Sequence, residues 1–196
     1  MKSYEIIGLL GHQGTGKNYI AENIIPKILP NKQTLCVAFA DHFKITAISK
    51  YGADYNKVFG KKDFETRKLL QRVGTEEGRD IFGSDIWIRT LENWMDIYAS
   101  RGIERFIICD LRFKNEVEWA RNIGATIIKI NAPDRYHDRL LKESNGDIEK
   151  YDIIKNHPSE KNIDNIDIFD FELDNSINAS LNVYNDLYHF FNKNLK

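Results

Sequence analysis

The strongest chemical signal is a glycine-rich segment near the start of the chain, Gly11-His12-Gln13-Gly14-Thr15-Gly16-Lys17-Asn18. It follows an apolar run of strand length and opens a helical segment, which is the context of a phosphate-binding P-loop. Glycines let backbone N–H groups approach a phosphate closely, and the helix N-terminus adds partial positive charge. Lys17 is expected to reach the β- and γ-phosphates. The alternative is a glycine-rich turn without a ligand, and the order strand, loop, helix favours phosphate binding.

Two further positions bear on a metal ion. Asn18, followed by Tyr19, stands where a P-loop normally has the Ser or Thr that contacts Mg²⁺. An amide oxygen can hold Mg²⁺ directly or through water, or the metal can rest mostly on other groups. Asp110 ends the apolar run 105–110, as in a Walker B strand, whose aspartate lies near Mg²⁺. The same aspartate could instead cap the next helix.

Basic side chains are concentrated between the apolar runs. They are Lys44, Arg67, Arg72, Arg79, Arg89, Arg112, Arg135 and Arg139. The last two are four residues apart and would share one face of a helix. Any one of them could simply form a surface ion pair. As a group, they supply the fixed and mobile cations that phosphoryl transfer to an anionic acceptor requires.

The elements that must position these residues follow from the hydrophobic pattern. Five apolar runs predict strands, at Tyr4–Leu10, Thr34–Ala40, Arg105–Asp110, Ala125–Ile130 and Phe169–Asp174. The nearly continuous apolar character of the middle runs is typical of a parallel sheet covered on both faces. Helical spacing predicts helices at Glu65–Arg79, Ile86–Ser100, Phe113–Ile123 (closed by Gly124) and from about Ser176 to the end. The alternation predicts an α/β fold.

Two stretches interrupt this alternation and are predicted to be inserts in a single domain, 1–196. The first, about 41–103, holds two or three helices. The second, about 132–165, is polar and is either a solvated loop or a lid. The core would then comprise 1–40, 104–131 and 166–196. We expect Ile177, Leu181, Tyr184, Tyr188 and Phe191 to share one face of the last helix, which packs on the sheet or joins a second copy in a homodimer.

The composition excludes several classes of protein. The chain has 196 residues, with 28 Lys and Arg against 29 Asp and Glu, for a net charge of -1. Such a balance argues against nucleic-acid binding, and no apolar run is long enough to cross a membrane. The first residues predict a strand rather than a signal peptide. Cys36 and Cys109 lie in apolar runs and are expected to be buried, reduced thiols, so the cytoplasm is the expected compartment.

A P-loop by itself is compatible with kinases, GTPases and motor ATPases. The Asn-Lys-x-Asp sequence with which GTPases usually read guanine does not occur in the chain. The chain is also short for a motor ATPase. A small kinase is therefore the favoured reading.

Several blocks of the sequence resemble the deoxynucleoside monophosphate kinases of phages and large DNA viruses, a branch of the P-loop nucleotide kinases. Besides the glycine loop, in which family members often have Asp at the position of Asn18, the blocks are Phe39-Ala40-Asp41-His42-Phe43-Lys44, Leu70-Gln71-Arg72-Val73-Gly74-Thr75-Glu76 with Arg79 and Asp85-Ile86-Trp87, Asp110-Leu111-Arg112-Phe113-Lys114-Asn115-Glu116 and His157-Pro158-Ser159-Glu160. Each block is weak alone, but together they span nearly the whole chain in the expected order.

The resemblance implies a strand order of 2-3-1-4-5, with the first insert binding the acceptor and the second acting as the lid. It implies ATP and Mg²⁺ as cosubstrate and metal. The residues expected at ATP are Gly11, Gly14, Thr15, Gly16, Lys17, Asn18 and Tyr19. Those expected at the acceptor are Asp41, Lys44, Arg72, Arg79, Trp87 and Arg112. The catalytic set would be Lys17, Asp110, Arg135 and Arg139, with Asn18 and Asp110 at Mg²⁺, either directly or through water.

The implied reaction is ATP-dependent phosphorylation of deoxynucleoside 5′-monophosphates (dNMPs) to diphosphates, in the host cytoplasm if the protein is viral. Two alternatives remain open at this point. Animal-type phosphomevalonate kinases are partly similar in their P-loop and lid. A catalytically inactive nucleotide-binding protein is the other, because Asn18 replaces Ser or Thr.

Overall fold

The computed structural model describes residues 2–179 and 181–194, in which a five-stranded sheet lies between two groups of helices. The strands are β1 (Glu5–Leu10), β2 (Thr34–Val37), β3 (Arg105–Leu111), β4 (Thr126–Asn131) and β5 (Phe171–Asp174). The helices are α1 (Lys17–Tyr19, continued by the π-helical Ile20–Ile24 and by Ile25–Ile28), α2 (Phe39–Tyr51), α3 (Tyr55–Phe59), α4 (Phe64–Gly74, continued by the π-helical Thr75–Arg79 and by Asp80–Phe82), α5 (Ile86–Ala99), α6 (Lys114–Asn122), α7 (Pro133–Ser144), α8 (Ile148–Lys155), α9 (Pro158–Lys161) and α10 (Val183–Asn194).

The sheet is parallel throughout and has the strand order β2-β3-β1-β4-β5, which confirms the predicted fold. The central strand β1 pairs with both β3 and β4, so that Ile7 lies between Ile107 and Thr126. In a parallel sheet all carboxyl ends lie at one edge, where a ligand normally binds. The glycine loop, α2 and α7 all begin at this edge.

Two hydrophobic cores explain why the middle strands are nearly continuous in apolar residues. Successive side chains of a strand point to opposite faces of the sheet. Ile6 of β1 therefore packs in one core, with Phe106 of β3, while Ile7 and Ile107 pack in the other. Each of these four side chains is buried. Both faces of the central strands are thus excluded from water.

The first insert has a small core of its own. Ala47 of α2, Val58 of α3 and the α4 residues Leu70 and Val73 are buried together, separately from the two cores on the sheet. Phe43 packs against this cluster and also against the main core. The insert is therefore a packed helical unit that presents one side of α2 and α4 to the carboxyl edge of the sheet.

The predicted last helix was wrong in its start and in most of its buried face. α10 begins at Val183 instead of Ser176, and the described residues before it form turns. The chain is held there by tertiary hydrogen bonds, because Asn175 donates its amide to the carbonyl of Thr15 and Asp134 accepts the Ile177 N–H. The buried side chains of α10 are Val183, Leu187 and Phe191, whereas Leu181, Tyr184 and Tyr188 are exposed.

The end of β2 and the burial of Cys36 also differ from the predictions. β2 ends at Val37 instead of Ala40, because the Asp110 carboxylate accepts the N–H groups of Phe39 and Ala40 and starts α2 there. Cys109 is buried and Cys36 half-buried, and both are free thiols as expected. No helix in the described ranges combines the length and apolar character that crossing a membrane requires.

Candidate active site

A cleft of about 430 Å³ lies at the carboxyl edge of the sheet and brings together most of the predicted site residues. Its predicted members are Gly14, Gly16, Lys17, Asn18, Tyr19, Lys44, Arg79, Asp110, Arg112 and Arg139. A larger and more open groove lies beside β4, β5 and α10, and none of the glycine-loop residues lines it. We therefore place the site in the smaller cleft.

The glycine loop is folded so tightly that its three glycines, Gly11, Gly14 and Gly16, have no room for a side chain. Gly14 and Gly16 have φ angles of 77° and 91°, which L side chains rarely adopt. A Cβ on Gly14 would lie 2.8 Å from Cβ of Arg139 on α7, and one on Gly16 would collide with the Asn175 amide. The second insert thus packs directly on the loop.

Lys17 is buried at the start of α1, beneath the loop that it follows. Its Nζ donates hydrogen bonds to the carbonyl oxygens of Gly11 (2.6 Å) and His12 (2.5 Å). Burial, together with the nearby Arg112 guanidinium, lowers the pKa of Lys17 to about 7. Thr15 donates its hydroxyl to the His12 carbonyl at 2.8 Å and fixes the turn from inside. A phosphate at the loop would favour the charged ammonium, since opposite charges attract strongly in a buried site.

Asp110 fixes the start of α2 with its carboxylate. It accepts hydrogen bonds from the N–H groups of Phe39 and Ala40, both at 2.9 Å. Burial raises the pKa of this carboxyl, although the two N–H donors oppose the shift. Asp110 therefore does cap a helix, but that helix is α2 and not the helix that follows Asp110 in the sequence.

The donor set at the cleft fits Mg²⁺ held partly by substrate phosphates. Among the described residues, no group of three or more His, Cys, Asp or Glu side chains could hold a metal ion. Asn18 and Asp110 both line the cleft. Each Asp110 oxygen accepts one N–H and keeps a second lone pair. Mg²⁺ usually takes one or two carboxylates, with phosphates and water completing its octahedron. Asn18 and Asp110 are thus the residues that would hold it.

Arg79 and Arg112 form one wall of the cleft and are each anchored by a buried glutamate. Arg79 donates to Glu116 at 2.6 Å, and its guanidinium stacks 3.7 Å from the centre of the Phe113 ring. Glu116 also accepts the N–H of Arg112 and that of Phe113. Arg112 pairs with Glu160 of α9. The two guanidinium groups are therefore pre-oriented toward the cleft.

The other predicted acceptor residues differ in their placement. Lys44 lines the cleft and pairs with Asp41 at 2.8 Å, but Asp41 itself is not part of the cleft wall. Trp87 lies behind the wall, where its Nε1 donates to the Gly74 carbonyl at 2.8 Å and its ring meets the edge of Phe43. Arg72 lies outside the cleft.

The resemblance places Arg72 and Trp87 at the acceptor, but neither side chain lines the cleft. Arg72 is on the outer face of α4, pairs with Glu77 at 3.1 Å and lies over the Tyr51 ring. Trp87 is buried and supports Phe43, which does line the cleft. Phe43 is the aromatic ring of this pair that a ligand can reach.

The second insert is mostly helical, with α7, α8 and α9, and contacts the loop at several points. Arg139 lines the cleft above Gly14, whereas Arg135 lies beside the loop and donates its Nε to the Asn175 carbonyl at 2.7 Å. Glu160 accepts the Gln13 N–H at 3.1 Å and contacts the imidazole of His12. The second insert and the glycine loop are thus joined by hydrogen bonds.

Several residues of the site were missed in the sequence. Lys62, Leu70, Gln71 and Gly74 line the cleft beside Arg67, which was predicted only as one of a group of cations, and Glu143, His12 and Asn175 support it. A signal existed for part of this set, because 67, 70, 71 and 74 have the spacing of one helix face. No local signal marks Glu143 as the partner of a residue in the other insert.

The chain is similar to proteins of one kinase family. A model of the deoxynucleotide monophosphate kinase family matches residues 17–165. A relative from Acanthamoeba polyphaga mimivirus, named a deoxynucleotide monophosphate kinase, is 24% identical over 190 residues, which cover 87% of this chain and 88% of the relative. The deoxynucleotide monophosphate kinase of Escherichia phage RB69 is 29% identical over 90 residues, 45% of this chain and 36% of its own.

The fold has a counterpart among solved structures. The crystal structure of TT1252 from Thermus thermophilus superposes with a TM-score of 0.58 and 17% sequence identity, with 100% of both chains covered. At this identity the likeness concerns the fold alone.

Proposed function

The chain belongs to the deoxynucleotide monophosphate kinase family, and on this premise we propose that it transfers the γ-phosphoryl group of ATP to a deoxynucleoside 5′-monophosphate. The products are the diphosphate and ADP. The observation that carries this proposal is one cleft lined both by the glycine loop with Lys17 and by Arg79 and Arg112. Two anionic substrates can therefore face each other across it.

On the ATP side, the loop amides and Lys17 bind the β- and γ-phosphates. Lys17 now donates to loop carbonyls, and it can turn its Nζ from these to a phosphate oxygen. Arg139 lies above Gly14 and is placed to neutralise charge on the transferred group, with Arg135 behind it. Such fixed cations act most strongly in a site that excludes water.

On the acceptor side, Arg79 and Arg112 bind the monophosphate. Lys44 and Phe43, which both line the cleft, contact the nucleoside. An ion pair with Asp41 orients Lys44, and an edge-on ring contact with Trp87 orients Phe43. The proposal thus gives Asp41 and Trp87 supporting roles in the acceptor site.

No general base is needed for this reaction. A monophosphate is largely ionised near pH 7, because its second pKa is about 6 by analogy with phosphoserine. In-line positioning and charge neutralisation by Lys17 and the arginines then lower the barrier. Mg²⁺, when held at Asn18 and Asp110, supplies further neutralisation of the phosphate oxygens. Closure of α7 over the loop excludes the water that would otherwise hydrolyse ATP.

The test is a panel of acceptors. The purified protein is incubated with ATP and Mg²⁺ and each dNMP, each ribonucleoside monophosphate and phosphomevalonate, and ADP formation is followed against a blank without acceptor. We expect turnover with at least one dNMP and none with phosphomevalonate. ATP binding without turnover of any acceptor, with Mn²⁺ as well as Mg²⁺, would refute the proposal and favour an inactive nucleotide-binding protein.

A further inference from the structure

Glu143 is a buried carboxylate that the reaction as proposed does not use. It lies on α7 with 9% of its surface exposed. Its two oxygens contact Arg67 of α4, at 2.7 Å from Nη2 and 2.5 Å from Nε. The Oε1 atom also lies 2.5 Å from Nη2 of Arg139, one turn earlier on α7. One carboxylate therefore holds two guanidinium groups.

The two arginines come from different parts of the fold. Arg67 is part of the first insert and Arg139 of the second, and both line the cleft. Glu143 is behind them and is not part of the lining. Among the ion pairs of the described residues, Arg67 with Glu143 is the one that joins the two inserts. One hydrogen bond from Nη2 and an ion-pair contact from Nε together hold the Arg67 guanidinium against the carboxylate.

The surroundings make the charge of Glu143 important. Lys44 and Lys62 line the same cleft as the two arginines. Burial and the charges of Lys44, Arg67 and Arg139 lower the pKa of Lys62 to about 8. Without the carboxylate, the cations of the first insert would repel Arg139 of the lid. Removal of this one negative charge should therefore favour separation of the inserts.

We infer that Glu143 is a positioning residue that couples the two substrate sites, by holding Arg67 of the acceptor-binding insert and Arg139 of the lid in one closed arrangement. This inference rests on the proposed function. A substrate that closes either insert brings Arg67 and Glu143 together, so the other insert closes at a smaller cost in free energy. ATP and the acceptor should then each raise the affinity for the other by the same factor, as linkage requires.

The test measures that factor directly. The dissociation constant of a non-hydrolysable ATP analogue with Mg²⁺ is determined by titration calorimetry, with and without a saturating equimolar mixture of the four dNMPs. We expect the mixture to tighten binding at least about fivefold in the wild-type protein, the lower end of typical coupling. In Glu143→Gln the factor should fall to within about twofold of unity. Glu149→Gln, an exposed carboxylate on α8, should keep the wild-type factor.

A charge exchange separates coupling from a structural effect. Arg67→Glu alone should lose the factor, and the double variant R67E/E143R, which keeps two arginines and one glutamate in the cluster, should recover part of it. Circular dichroism and the melting temperature show that each variant is folded. Wild-type coupling in Glu143→Gln, an equal loss of analogue affinity with and without dNMPs, or no recovery in the double variant would each overturn the inference.

The proposed function and the coupling through Glu143 can be refuted independently of each other. A wild-type protein that shows coupling but no turnover of any acceptor would remove the proposed function and leave the link through Glu143. A wild-type protein with turnover but no coupling, or with coupling that Glu143→Gln preserves, would remove the link and leave the kinase.

Discussion

The buried contacts of Glu160 predict how strongly the free energy of unfolding depends on pH. Its carboxylate is buried, pairs with Arg112, contacts His12 and accepts the Gln13 N–H. Burial alone would raise the pKa of Glu160, but Arg112, His12 and the Gln13 N–H outweigh it and lower the pKa to about 2. An unperturbed glutamate has a value near 4.5. The folded state therefore favours the ionised form by about 3 kcal/mol.

The pH dependence follows from the sign of this shift. A carboxyl whose pKa is lower in the folded state stabilises the fold fully above its unfolded value, and this stabilisation is lost as the pH falls through the folded value. For values of about 4.5 and 2, the loss between pH 5 and pH 3 is about 2 kcal/mol. Glu160→Gln has no charge to lose, so its free energy of unfolding should fall by about 2 kcal/mol less over that interval.

Urea denaturation at pH 7, 5 and 3 measures both quantities. At pH 7, Glu160→Gln should be less stable than the wild type by about 2–3 kcal/mol, because Arg112 loses its partner in a buried place. The exposed Glu149→Gln should change the free energy by less than about 0.5 kcal/mol and keep the wild-type pH dependence. Parallel stability curves for wild type and Glu160→Gln between pH 5 and pH 3 would refute the electrostatic reasoning.

Three further predictions concern the cleft. Lys17→Ala should lower turnover at least ~100-fold, as the loss of a main transition-state contact does; near-normal steady-state rates would contradict the P-loop assignment. Arg79→Ala should raise the KM of the acceptor more than that of ATP, and the opposite pattern would show that the sides are reversed. Gly14→Ala should weaken ATP binding in calorimetry because its Cβ meets Arg139, whereas Gly52→Ala, with φ 65° and open space around it, should only lower the melting temperature; equal ATP affinities in these two variants would contradict the close packing of α7 on the loop.

The sheet could be predicted because its signals are local. β1 and β3 are buried on both faces, so nearly every residue is apolar and the run itself marks the strand. The predicted element boundaries were wrong where a group distant in sequence determines the backbone conformation. Asp110 ends β2 by starting α2, and Asn175 ties the chain after β5 to the glycine loop. Neither hydrogen bond leaves a trace in the local sequence.

The same distinction holds for the site. Lys17 and Asp110 stand in a loop and a strand end with recognisable spacing, and both line the cleft as expected. Arg67 and Arg72 are both arginines of α4, little more than one helix turn apart. Only Arg67 lines the cleft. The difference is set by how α4 packs on α2 and α3, which the residue types alone do not specify.

Each arginine that lines the cleft is held by a buried glutamate. Glu116 holds Arg79, Glu143 holds Arg67 and Arg139, and Glu160 holds Arg112, and each carboxylate is at most 9% exposed. A cluster of unpaired guanidinium groups would repel one another and lose their orientation. A carboxylate behind each one relieves the repulsion and fixes the fork, while the side toward the cleft keeps N–H donors for a phosphate. The net charge of -1 is therefore compatible with a cationic cleft, because the compensating acids are buried behind it.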